Sequence, residues 1–107
     1  MKPTKVNLSF RGVLYQEDDM WIAHCLETDI VAEGKTQQEA VKNILDLSLF
    51  QVETALEDGD LKSIFRPAPP DVMHMYALAS KMATPRPRSK RATAVEQQFE
   101  LRELALV

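Results

Sequence analysis

The sequence predicts an α+β fold: a small antiparallel three-stranded sheet packed by one long helix, with a fourth strand near the C-terminus. Three observations lead there. Apolar residues alternate with polar ones through the first third of the chain, which is the period of half-buried strands. A single long stripe at helical period follows a helix-start motif. A second alternation, Phe99-Glu100-Leu101-Arg102, returns close to the end.

The first strand is carried by Val6, Leu8 and Phe10, alternating with Asn7, Ser9 and Arg11. Val13 and Tyr15 fall on the other parity beyond Gly12, which predicts a bulge at the glycine. Glu17-Asp18-Asp19 reads as a turn, and Met20–Leu26 as the second strand of a hairpin, with aromatic and β-branched residues. On it, Trp21, Ala23 and Cys25 share one face and Met20, Ile22 and His24 the other. After the polar break Glu27-Thr28-Asp29, Ile30-Val31-Ala32-Glu33 is a short third strand stopped by Gly34.

Thr36-Gln37-Gln38-Glu39 is a capping box, in which the Thr36 hydroxyl accepts from the Glu39 amide. It opens a helix to about Asp58. Val41, Ile44, Leu45, Ser48, Val52, Ala55 and Leu56 form its buried face, and Leu47, Leu49 and Phe50 widen the stripe toward a second surface. Gly59 is a suitable left-handed residue after the end.

A stiff linker, Arg66-Pro67-Ala68-Pro69-Pro70, divides a core, residues 1–65, from an extension, residues 66–107. In the extension, Asp71 caps a short Met-rich helix from Val72 to about Met82. Thr84–Arg91 is a basic, structure-breaking loop. Val95–Val107 is read as a strand, with helix as the rival reading.

Composition bounds the function. The 107 residues suffice for one domain and hold a single cysteine, so no intrachain disulfide forms. No apolar run is long enough to span a membrane, and Met1–Asn7 lacks the apolar stretch of a signal peptide. A cytoplasmic protein is expected. The net charge of −3 conceals an asymmetry: residues 1–65 carry twelve Asp/Glu against six Lys/Arg, and residues 66–107 four against seven. An acidic body repels nucleic acid and attracts basic proteins.

Trp21-Ile22-Ala23-His24-Cys25-Leu26-Glu27, followed by Gly34-Lys35-Thr36-Gln37-Gln38-Glu39-Ala40, resembles the HicB-like antitoxin family over about residues 6–60. The resemblance implies a partial RNase H-like fold, with an antiparallel three-strand meander, a crossing helix and a fourth strand beside the first. It also implies antitoxin activity: members bind HicA-type toxins, small basic ribonucleases, and mask them. Many members add a C-terminal helix-turn-helix or ribbon-helix-helix domain, and residues 66–107 do not show the element pattern of either.

Catalysis is not expected. RNase H chemistry needs carboxylates converging on two metals, one of them from the first strand; residues 5–15 hold no Asp or Glu, leaving Asp46, Glu53, Glu100 and Glu103 without that partner. His24 and Cys25 point to opposite faces, so neither a metal site nor a nucleophile pair is built from them; only Cys25 with His74 remains as a Cys–His pairing. No cofactor or metal is implied. The expected function is a non-catalytic binding module that masks a basic HicA-type ribonuclease through Glu17, Asp18, Asp19, Glu27 and Asp29, chosen for charge and turn position. The alternative is a stand-alone oligomeric domain binding nucleic acid or a small ligand through Arg86, Arg88, Lys90 and Arg91. A homodimer or tetramer is expected, because a small sheet leaves edges to cover.

Overall fold

The first strand binds the molecule together. In the computed structural model, which describes residues 6–82 and 95–104, β1 runs from Val6 to Glu17 and is paired on both sides. β2, Met20–Cys25, runs antiparallel to it through a tight hairpin, and β3, Val31–Gly34, pairs antiparallel with β2. The helix α1 spans Gln37–Glu57, and a 3-10 turn, Leu61–Ile64, follows it. The helix α2 spans Pro70–Leu78, β4 is Ser80–Lys81, and β5 is Val95–Glu103. The sheet order is β3-β2-β1-β5-β4.

The sheet therefore has five strands, where three and a fourth near the C-terminus were expected. The expected last strand, β5, lies parallel beside β1 in an unbroken register from Val6↔Val95 to Leu14↔Glu103. The additional strand is β4. Its two residues were expected in the short helix, but Ala79 turns extended at φ −85°, ψ 157°, and Ser80 and Lys81 pair with Glu103 and Arg102 instead. Met82 N–H extends this contact by donating to the Leu101 carbonyl.

The expected bulge at Gly12 does not occur. The β1 pairings pass through Gly12 without a slip, to Cys25 on one side and Leu101 on the other. Leu8, Phe10 and Leu14 face α1, while Val13 and Tyr15 face α2. The apparent change of parity arises because β1 is buried on both faces. Gly12 is required for another reason: a Cβ there would lie 2.7 Å from Leu101 Cδ2 and 3.2 Å from the His24 carbonyl oxygen.

α1 starts as its motif dictates. Thr36 is extended, and its Oγ1 accepts from Glu39 N–H at 3.1 Å. Asn43 Nδ2 donates to the Glu33 carbonyl at 2.8 Å and ties the first turns to β3. Gly34 permits that approach, since a Cβ there would meet the Ala40 nitrogen and the Glu39 carbonyl carbon, both backbone. The helix stops at Asp58, and Gly59 adopts φ +69°, relieving the left-handed turn of steric cost. Ala40, Val41, Ile44, Leu45, Val52 and Ala55 pack onto Phe10, Leu14, Ala23, Cys25, Ala32 and Leu101 as the main core. Phe10 stacks at tilted angles on Phe99, 5.2 Å between centroids, and on Phe65, 6.3 Å.

The linker is less free than its composition suggests. Arg66 and Ala68 N–H groups donate to the Glu27 and Leu26 carbonyls, and Ala68 is buried. α2 begins one residue before its expected cap: Pro69 is the N-cap, Pro70 opens the first turn, and Asp71 sits within it. Proline suits that position because the first-turn N–H groups have no helical acceptor. Val72 and Tyr76 pack on Val13, Leu26 and Ala68 as a second, smaller core on the opposite side of the sheet. Among the described residues, no helix is long and apolar enough to cross a membrane.

Candidate partner-binding surface

The five acidic residues expected to meet a partner lie at opposite ends of β2. Its six residues, five steps of about 3.3 Å, make the strand roughly 17 Å long and hold the two turns at least that far apart. At one end, Asp18 and Asp19 form the two-residue hairpin loop with φ +50° and +65°. Both residues of such a loop need positive φ, which Asp tolerates better than most side chains. Glu17, Asp18 and Asp19 are all exposed there. Beside them, partial burial pushes the Tyr15 phenol up, and the charges of Glu17 and Asp71 push it the same way.

At the other end the charge is already partnered. Glu27 accepts from the Arg11 backbone N–H and from Arg11 Nε, both at 2.7 Å. Asp29, at φ +60°, places Oδ1 2.6 Å from Nε2 of His24, whose side chain is almost fully buried. These two carboxylates tie the β2–β3 turn to β1 and β2 through Arg11 and His24. The five residues thus do not form one patch, and of the five only those at the hairpin tip present open negative charge. Arg86, Arg88, Lys90 and Arg91 lie outside the described residues.

The candidate Cys–His pair is not assembled. Cys25 is buried against α1, whereas His74 is exposed on α2, across the sheet. Burial pushes the Cys25 thiol up, which keeps it protonated and poorly nucleophilic. Among the described residues, no group of three or more His, Cys, Asp or Glu is placed to hold a metal ion.

Two features were not anticipated from the sequence. On the α2 side, Tyr76 Oη donates a hydrogen bond to Glu100 Oε2, and the Arg102 guanidinium lies 4.3 Å above the Tyr76 ring. Arg11 approaches the same ring at 5.8 Å, and Lys81 Nζ lies 3.6 Å from Glu100. The tyrosine hydrogen bond holds the Glu100 carboxyl below the usual carboxylate range, and the charges of Lys81 and Arg102 act in the same direction. No local pattern announces this cluster, since its members come from β1, α2, β4 and β5. The second feature is an open groove between α1 and the 3-10 turn, into which Leu47 and Phe50 project. The widened helical stripe was the signal for it.

Comparison with protein-family models, curated proteins and solved structures finds no match to this chain.

Proposed function

We propose that this chain is a non-catalytic binding module of the HicB-like antitoxin type, which docks a basic HicA-type ribonuclease and masks it. The observation that carries this reading is the hairpin tip. Glu17, at the end of β1, and Asp18 and Asp19, in the two-residue loop that follows, present three adjacent exposed carboxylates on a body that is strongly acidic through residue 65. A field of one sign on a rigid support speeds encounter with an oppositely charged protein and orients it.

The module works as a homodimer or tetramer in the cytoplasm. β3 is a four-residue edge strand, paired among the described residues on its β2 side alone. An edge strand is a template for a second copy, and here the Glu33 carbonyl is already taken by Asn43, which leaves the remaining edge groups of β3 for that pairing. A lone buried thiol suits a reducing compartment.

The test is titration of the full chain into a HicA-type ribonuclease during RNA cleavage. Stoichiometric inhibition is expected. The Glu17→Gln/Asp18→Asn/Asp19→Asn variant should inhibit less well, with the loss greatest at low salt. Cleavage unaffected by an excess of the chain, with no complex on size-exclusion chromatography at low salt, would overturn the reading.

A further inference from the structure

The acidic hairpin tip supplies charge but no apolar anchor, and stable protein interfaces are centred on buried anchors. The exposed side of α1 supplies a place for one. Ile30, Leu47, Phe50 and Ile64 wall a groove of ≈ 440 Å³, a volume of the size that seats small ligands or anchoring side chains. Phe50 is 65% exposed and Leu47 44%. Gln51, also in the wall, has its Oε1 buried without a hydrogen-bond partner.

One end of this groove is negative. Glu53–Asp60 contains four carboxylates and no Lys or Arg. α1 ends there with no basic residue in its last turn, so the partial negative charge of its terminal carbonyls is not offset within the helix. Asp58, the C-cap residue, lines the groove. Acidic residues at a helix C-terminus destabilise the helix that carries them, and a cation laid across that end reverses the effect.

We propose that this groove receives an aromatic or leucine anchor from an amphipathic segment of a basic partner, with a Lys or Arg beside the anchor lying over the C-terminal end of α1. The inference rests on the reading of the partner as a basic protein and assigns where its apolar residues go. Charge complementarity selects this occupant: the acidic residues 53–60 disfavour the equally acidic body of a second copy.

The test uses the full chain and a probe peptide of about 15 residues with Leu and Phe at i, i+3, i+4 and i+7 of a helix otherwise rich in Arg and Lys. Amide chemical-shift changes are expected at Leu47, Phe50, Gln51, Asp58 and Ile64. Phe50→Ala, at an exposed position, should weaken binding about tenfold or more. Asp58→Lys should also weaken binding yet raise the thermal midpoint of the free protein, because it offsets the helix terminus. Shifts confined to the hairpin tip, or an affinity unchanged by Phe50→Ala, would overturn the proposal. So would light scattering in which the wild type is a dimer and Phe50→Ala a monomer, since the groove would then hold a second copy. If a HicA-type ribonuclease binds wild type and Phe50→Ala equally, the groove assignment fails and the partner reading stands. If no such ribonuclease binds while the probe seats in the groove, the partner reading fails and the groove assignment stands.

Discussion

The two faces of the sheet are built from the same strands and held by different physics. On the α1 face, Phe10, Leu14, Ala23, Cys25 and Leu101 meet a 21-residue helix in a continuous apolar core. Its polar exceptions include Ser48 Oγ and the Gln97 amide, buried without partners. On the other face, nine-residue α2 covers Val13 and Tyr15, and the rest is organised by directed contacts: Arg11 with Glu27, His24 with Asp29, Tyr76 with Glu100 and Arg102. Stability is therefore expected to reside in the first face. The second face, with polar contacts that are individually weak when exposed, serves to position turns and strand ends.

Truncation on the two faces should separate these roles. Phe10→Ala removes a ring that is 2% exposed and packed on two other aromatic rings, and a loss of about 3–5 kcal/mol is expected. Val72→Ala, in the smaller core under α2, should cost much less, of order 1–2 kcal/mol. Urea melts of the two variants provide the measurement. Equal losses would show that α2 shares fully in the main cooperative core.

The two glycines sharpen the same contrast between unyielding and yielding contacts. Gly34→Ala drives a methyl into the backbone of the first turn of α1, where neither Ala40 N nor the Glu39 carbonyl carbon can move without shifting the helix. Gly12→Ala meets the tip of the buried Leu101 side chain and, less closely, the His24 carbonyl oxygen, so its nearest obstacle is a side-chain end rather than a helix backbone. A loss of about 1–3 kcal/mol is expected for Gly12→Ala, as for other overpacked sites, and a larger one for Gly34→Ala. Thermal unfolding of both variants tests the order.

The contrast also explains what the sequence revealed. The order of elements was legible because alternation and the α1 stripe are local signals, and Thr36 carries its cap within one turn. Burial of β1 on both sides made Val13 and Tyr15 look like a bulge, because alternation marks only strands with one wet face. β4 had no local signal, since two residues at the end of a helical pattern become a strand only when β5 arrives beside them. The acidic turns were legible as charge. That Glu27 and Asp29 are engaged was not, because Arg11 is sixteen residues away and His24 lies on a strand that reads as apolar. Leu47 and Phe50 were visible as a widened stripe, but the facing wall of Ile30 and Ile64 comes from other elements.

The smallest effect should come from Tyr76→Phe, which keeps a ring beneath the Arg102 guanidinium and deletes only the hydroxyl donated to Glu100. In the folded protein that hydrogen bond is the leading reason the Glu100 carboxyl lies below its usual range. A carboxyl depressed in the folded state contributes stability above its unfolded pKa and loses it as the pH falls through the folded value. The variant should therefore melt slightly below wild type near neutral pH, and the gap should close as the solution is made acidic through the carboxylate range. Side-chain NMR titration of Glu100 should show its pKa rising toward the ordinary value in the variant. The residual depression then measures what Lys81 and Arg102 contribute by charge and by the Lys81 hydrogen bond, against the opposing effect of burial. A Glu100 titration unchanged by Tyr76→Phe would mean that those cations, and not the tyrosine, organise this face.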